Sequence, residues 1–333
     1  MTVSERTLQR QCRWVVIGEQ GWVVDEFGLT KGNRTKFVAY PNPKTAPTRT
    51  RPYRYYWKES LHRYPLEFWS EVLAYHIGST IGVEAPLTFP ATFLSTEAEP
   101  DPLLRVGALS QSLVEPGARE ELVHGGDLLS IIKPDYDRKK GVDHSVQLIM
   151  EALTRLLGNP SLYSSLFRQF VFDALIGNSD RHQDNWGIKF KLSKNVGEIV
   201  RFVPAFDNGS SLGRELDEGR VDEMLANAAL IDRFIAHGRA HVRWDRGAGP
   251  ERVSQEELMR LHLETFDELP GIFQEITSFD GDALERAIRR VCRISREDSP
   301  FPSTAISDAR EEFIVRLTLR RQERLQLIGG AYT

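Results

Sequence analysis

The sequence predicts an α+β fold in two parts, a strand-rich first part and a larger, mainly helical second one. Short strand-like runs bounded by turn residues continue as far as Leu113. Val114-Glu115-Pro116-Gly117 then breaks the pattern. Past Gly126 the apolar residues recur with a helical period, most clearly over Val142–Gly158, Ser161–Ile176, Ser254–Leu269, Asp280–Ile294 and Ser307–Ile328. With 333 residues the chain suits two lobes better than one. The expected division is therefore 1–116 and 117–333.

Composition excludes several classes. The 43 basic and 47 acidic residues leave a formal charge of −4, which gives no electrostatic case for direct nucleic-acid binding. No apolar run approaches a membrane span, and Met1–Arg13 has too little continuous apolar sequence for a signal peptide, so a cytoplasmic protein with no membrane partner is expected. Cys12 and Cys292 lie far apart and suggest neither a disulfide framework nor a thiolate metal site.

In chain order, Arg13–Ile17 and Gly21–Val24 read as strands joined by the turn at 18–21. Phe27–Lys36 follows, a glycine- and threonine-containing stretch with Lys31, Arg34 and Lys36 that leads into the strand Phe37–Tyr40. Backbone N–H groups at Gly28 and Gly32, with the charges of Lys31 and Lys36, could wrap phosphates; a plain hairpin turn is the competing reading. Pro41–Pro52 reads as a surface loop and Arg54–Lys58 as an aromatic strand ending in a lysine. Pro65 opens an amphipathic helix with Leu66, Trp69, Val72, Leu73, His76, Ile77 and Ile81 on its buried side and Gly82 as its stop. Glu67 and Glu71 lie one turn apart on a neighbouring stripe. A strand lysine, Lys58, followed by a helix glutamate, Glu71, is a pair able to grip nucleotide phosphates.

The second part centres on Gly177–Phe190. The helix Ser161–Ile176, with Ser161 as its expected cap and Leu162, Leu166, Phe167, Phe170, Ala174 and Leu175 on its apolar face, stops at Gly177. A polar loop then carries Asp180 and Asn185, and the strand-like runs Trp186–Phe190 and Ile199–Ala205 deliver Asp207. Phosphoryl transfer from ATP needs one carboxylate to orient the hydroxyl nucleophile, plus an Asn and a second Asp to hold Mg²⁺ on the phosphates. Asp180, Asn185 and Asp207 are those residue types in that order. His182 is read as a framework residue, Arg181 as the partner of a nearby acid, and Asp184 as solvated.

GNSDRHQDNWGI (Gly177–Ile188), together with FDNGSSL (Phe206–Leu212), Lys58 and SEVLAYHIGSTIGVEAP (Ser70–Pro86), resembles the bacterial HipA-like serine/threonine kinase family. The resemblance runs from about Thr35 to the C-terminal helix. It implies a two-lobed protein-kinase-like fold, with a small mixed N-terminal lobe and a larger helical C-terminal lobe. It further implies ATP and Mg²⁺ as cofactors, a protein substrate, and a regulatory or antitoxin protein as partner. By position, Asp180 resembles the catalytic aspartate, Asn185 and Asp207 the metal ligands, Lys58 the phosphate lysine and Glu71 its ion-pair partner. The same architecture would set adenine against the backbone of the connector at Leu113, Val114 and Glu115.

Asn208–Asp245 is expected to form the activation and substrate region, acidic at first and basic from His237 to Arg246, where Arg239, Arg243 and Arg246 surround Trp244. That cluster could hold an acidic substrate or a phosphate, against the plainer reading of a solvated face. Two other readings compete with a protein kinase. Asp180-Arg181-His182 followed by Asn185 is also similar to the catalytic loop of phosphoinositide kinases, though Asp207 is followed by Asn-Gly and no strongly basic headgroup segment lies near Ser210. A nucleotide-binding pseudokinase serving as an interaction module is the non-enzymatic reading.

Overall fold

The computed structural model describes residues 14–17, 22–25, 36–41, 54–94, 104–114, 119–192, 197–245 and 252–332. The first sheet holds six strands: β1 (Val15–Ile17), β2 (Trp22–Asp25), β3 (Lys36–Pro41), β4 (Tyr55–Glu59), β5 (Thr88–Leu94) and β6 (Leu104–Gln111), in the order β1-β5-β6-β4-β3-β2. Strands β1 and β2, expected as neighbours across a turn, stand instead at opposite ends of that order, and β1 pairs in parallel with β5. Only five peptide steps separate Ile17 from Trp22, a reach of at most about 18 Å. A flat sheet of this width would set its edges about 24 Å apart, so the sheet curls towards closure.

Alternation along β4 explains the direction of its lysine. Tyr55 and Trp57 face a small apolar core with Ile17, Phe37, Ala39, Ala91 and Leu109, where Phe37 and Trp57 stack at 4.7 Å. Tyr56 and Lys58 therefore point to the other side of the sheet. Helix α1 (Glu67–Ile81) ends where Gly82 takes a left-handed φ of 77° and its N–H donates to the Gly78 carbonyl. It is buried on nearly every side, because β5 and β6 cover one flank and a C-terminal helix covers another. The Trp69 indole N–H donates to the Thr304 carbonyl at 2.6 Å, tying the helix to that distant segment.

A second, three-stranded antiparallel sheet is built from β7 (Glu120–His124), β8 (Gly187–Leu192) and β9 (Gly197–Phe202). The helices are α2 (Gly125–Ile132), α3 (Val146–Leu157), α4 (Tyr163–Ile176), α5 (Glu218–Ala226), α6 (Ala228–His237), α7 (Gln255–Thr265), α8 (Leu269–Thr277), α9 (Gly281–Glu297) and α10 (Asp308–Gly329). Their main core gathers Leu166, Phe167, Val171, Phe172, Trp186 and Phe313 with the apolar face of α1. The expected boundary between the two parts falls within 115–118, outside the described residues.

Local chemistry accounts for several shifts from expectation. Helix α3 starts at Val146 rather than Val142 because the Ser145 hydroxyl caps it, accepting from the Leu148 N–H. Ser161 does not cap: Pro160–Leu162 forms a 3₁₀ turn before α4, and the Ser161 hydroxyl donates to Asn159 Oδ1. Ser254, Asp280 and Ser307 cap α7, α9 and α10. Along α10, Leu327 is 77% exposed, although the sequence offers it for packing with Phe313, Val315, Leu317, Leu319 and Leu325. No helix among the described residues is long and apolar enough to cross a membrane.

Burial also fixes histidine tautomers. His262, 0% exposed, has Nδ1 at 2.6 Å from the Leu258 carbonyl, so Nδ1 carries the proton and Nε2 accepts from the Tyr163 hydroxyl. Burial pushes its pKa down from 6.5 to about 4. Above pH 6.5 the group is neutral folded or unfolded and costs nothing. As pH falls from there towards about 4 the unfolded chain takes up a proton that the folded chain refuses, so stability declines over that window and the loss levels off below it. Urea unfolding between pH 8 and pH 4 should therefore show constant stability at the alkaline end and a fall below about pH 6.5, the ordinary histidine pKa; His262→Gln should have a shallower fall. Identical slopes would place the titrating group elsewhere.

Candidate active site

Three distant parts of the chain meet at Lys58. Its Nζ lies 3.4 Å from Glu71 Oε1 and donates to Asp207 Oδ1 in a closer contact. Burial works against the ammonium, but Asp207 and Glu71 overcome it and hold the lysine pKa above its ordinary value. Burial would likewise raise the Asp207 carboxyl, yet the charge and hydrogen bond of Lys58 outweigh it and hold that pKa below the usual range. Burial pushes the Glu71 carboxyl up, against the pull of Lys58. Glu71 Oε2 also accepts the Asn208 N–H at 2.9 Å, so one carboxylate touches both the strand lysine and the residue after Asp207. The Asp207 side chain keeps 34% of its surface exposed.

The loop after α4 carries Asp180 and Asn185. Gly177 turns the chain with a φ of 70°, and the Asp180 N–H donates to Asn178 Oδ1 at 3.1 Å. Asn185 Nδ2 donates to the Asp180 carbonyl at 2.8 Å. Its amide nitrogen is thereby committed, and a bond from this side chain to a cation falls to Oδ1. Arg181 is the hub. Its guanidinium, 2% exposed, donates to both carboxylate oxygens of Asp173 at 2.9 and 2.7 Å, to the Asn185 carbonyl at 2.9 Å, to Asn208 Oδ1 at 2.7 Å and to the Phe206 carbonyl. One nitrogen, Nη1, serves both the Asn185 and Phe206 carbonyls, which places them within about 6 Å of each other. The loop of Asp180 and Asn185 is thus fastened to the segment of Asp207.

The loop's other polar residues frame it. His182 Nδ1 accepts from the Asp184 N–H at 3.1 Å, which fits the framework role. Asp184, expected to be solvated, pairs with Arg138. His144 accepts from the Trp186 indole at 3.1 Å and lies 3.4 Å from His241, whose ring packs beside that of His182. Burial pushes the His241 pKa down to about 3 and that of His144 well below its ordinary value, so these two rings are neutral near pH 7.

Not every expected residue is described. Gly28, Lys31, Gly32 and Glu115 lie outside the described residues. Lys36 opens β3 directly across from Lys58, which puts both lysines on one face of the sheet and adds a second positive charge near Asp207. Leu113 and Val114 follow β6, where the Val114 carbonyl accepts from the Ser112 hydroxyl at 2.8 Å. In the basic stretch, Arg243 turns inward to the Gly141 carbonyl at 2.9 Å, Arg239 stays exposed near the end of α6, and Arg246 is outside the described residues. Trp244 packs against His262 and Phe266.

Sequence reasoning missed the supporting shell. Asp173, one turn before the end of α4, interrupts an apolar helix, and that interruption was the available signal. Gln255 Nε2 donates to the Asp173 and Asn178 carbonyls at 3.2 and 2.7 Å, and Arg321 of α10 donates to Gln255 Oε1 at 3.0 Å. Among the described residues no group of three or more His, Cys, Asp or Glu could hold a metal. Asp207 and Asn185 each offer a hard oxygen, the donor type that suits a cation keeping waters and substrate oxygens in its shell.

Arg181→Gln would leave the Asp173 carboxylate buried with its partner gone. It should destabilise the fold by roughly 3–5 kcal/mol, as breaking one side of a buried pair usually does. Urea unfolding measures this, and a cost below 1 kcal/mol would show that Arg181 is not the fastening.

No protein-family model matches the chain, and no curated protein sequence matches it. Among solved structures, the chain is similar to the Helicobacter pylori proinflammatory kinase CtkA, with 18% sequence identity over 95% of this chain and 96% of that one and a TM-score of 0.70. A likeness of that extent at that identity is one of architecture: this chain has a two-lobed, kinase-like α+β fold.

Proposed function

We propose that the chain is an ATP- and Mg²⁺-dependent phosphotransferase of the HipA-like serine/threonine kinase kind, acting on a protein hydroxyl. The observation that supports it most is the meeting of Lys58, Glu71 and Asp207, drawn from a strand, a helix and a post-strand segment. The kinase-like fold and the name of its structural neighbour agree with this reading. On it, residues 1–116 cover the nucleotide and 117–333 carry the catalytic loop.

Each residue then has one task. Lys58, steadied by Glu71, contacts the nucleotide phosphates, and Lys36 on the same face adds charge. Asp207 and Asn185 would hold Mg²⁺; the Lys58 ammonium on Asp207 Oδ1 is a cation already seated on that ligand, and both side chains offer hard oxygen donors. When bound, the metal offsets charge building on the phosphoryl oxygens. Asp180 orients the attacking hydroxyl and receives its proton as the oxygen–phosphorus bond forms, and ADP departs with the electrons of the broken bond.

The pure protein should transfer label from γ-labelled ATP to protein in the presence of Mg²⁺. Label appearing on phosphoinositide instead would favour a lipid kinase, and absence of label with retained nucleotide binding would favour a pseudokinase. Asp180→Ala should keep ATP binding yet lose on the order of 10²–10³-fold in turnover, the scale for removing a preorganised transition-state group. Asp207→Ala or Asn185→Ala should abolish most of the Mg²⁺-dependent thermal shift produced by ATP. Shifts equal to wild type would remove both residues from the metal site.

A further inference from the structure

Three residues along one face of α1, Glu67, Ser70 and Glu71, each grip a different point of the segment that follows Asp207. Glu71 accepts the Asn208 N–H at 2.9 Å, the Ser70 hydroxyl donates to the Ser211 carbonyl at 3.1 Å, and Glu67 accepts from the Arg214 guanidinium. Their i, i+3, i+4 spacing puts all three on the same line. Glu67 is 3% exposed, and Arg214 stacks over the Tyr64 ring at 4.6 Å, so this pair is a lodged contact rather than a surface one. Gly209 lies between the two carboxylates: a Cβ there would come within 2.9 Å of Glu67 Oε1 and 3.2 Å of Glu71 Oε1. The far side of the segment is held too, through the Leu212 N–H on the Ile176 carbonyl at 2.9 Å and Arg310 on the Leu216 carbonyl at 2.6 Å.

The backbone needs this grip. Asp207 and Leu212 both have a φ of 56°, a left-handed conformation that is uncommon for residues other than glycine and persists only where the surroundings impose it. In many switchable proteins such a segment is ordered by a phosphate added to it, which supplies an anion for an arginine. Here the anion facing Arg214 is Glu67, built into the helix that also carries Glu71.

We propose that Glu67 and Arg214 are a positioning pair that sets the Asp207–Arg214 segment in its metal-holding arrangement, so that phosphoryl transfer needs no prior phosphorylation of that segment. The inference rests on the kinase reading above. Glu67 on this account does not substitute for Glu71 at Lys58; Glu71 bridges the lysine and Asn208 at the start of the segment, and Glu67 holds Arg214 at its end.

The test uses the full chain, treated with phosphatase until its intact mass shows no phosphate. Wild type so treated should transfer phosphate as fast as untreated protein. Arg214→Met should lower kcat on the order of 10²-fold, the scale for misplacing a reacting group by about an ångström. It should also raise the Mg²⁺ concentration for half-maximal rate, while metal-free ATP binding stays the same. Arg214→Lys, which keeps the charge, should recover most of both, a rescue that a merely space-filling role would not show. If Arg214→Met does not fold, Glu67→Gln, nearly the same shape, should show the same rise in Mg²⁺ requirement. Loss of activity on phosphatase treatment, or Arg214→Met and Glu67→Gln variants with wild-type kcat and Mg²⁺ dependence, would overturn the positioning role while leaving the kinase reading in place. Wild type with neither Mg²⁺-dependent ATP binding nor transfer would overturn the kinase reading itself.

Discussion

The contact between Lys58 and Asp207 is the constraint on which the rest of the site depends. It joins β4 to a segment 149 residues later in the chain. Strand alternation sends Lys58 away from the small aromatic core, α1 brings Glu71 alongside, and the short antiparallel pair β8–β9 returns the chain to Asp207. Three charges share one small volume there. Their mutual attraction offsets the cost of partial burial only because each has a hydrogen-bonded partner.

Arg181 performs the equivalent service between the loop after α4 and the Asp207 segment. A buried guanidinium is costly unless its donors are used, and this one reaches Asp173, Asn208 and two backbone carbonyls. The planar fork suits that task, since several acceptors converge on it from different elements. Helix α4 supplies the carboxylate, the loop after it supplies the arginine and the Asn185 carbonyl, and the Asp207 segment supplies the remaining acceptors. The spacing of the loop and the Asp207 segment is therefore set by rigid elements rather than by the loop alone.

Much of this was legible in the residues. Lys58, Glu71, Asp180, Asn185 and Asp207 stand out because their types and order match a chemical task, and Gly82 and Gly177 mark helix ends by the conformation they permit. What escaped has a common physical cause. Pairing between distant strands leaves no local signal, so β1 was expected beside β2 although it pairs with β5. Strand β7 carries only Leu122 and Val123 as apolar residues and gains its place from β8. Helices α5 and α6 fall in a stretch that was read only by its charges, as an activation and substrate region. Arg181 was expected to partner a nearby acid, as it does, but that the acid is Asp173 and that Glu67 pairs with Arg214 is set only by the fold.

The account stands most directly on whether Lys58 and Glu71 act as one unit. A double-mutant cycle on phosphoryl transfer, using Lys58→Met, Glu71→Gln and the pair, measures that coupling. Residues acting together give non-additive losses, so the double variant should be scarcely slower than Lys58→Met alone. A double variant whose loss equals the product of the two single losses would contradict the account, since the two side chains would then contribute independently and their contact would have no part in the chemistry.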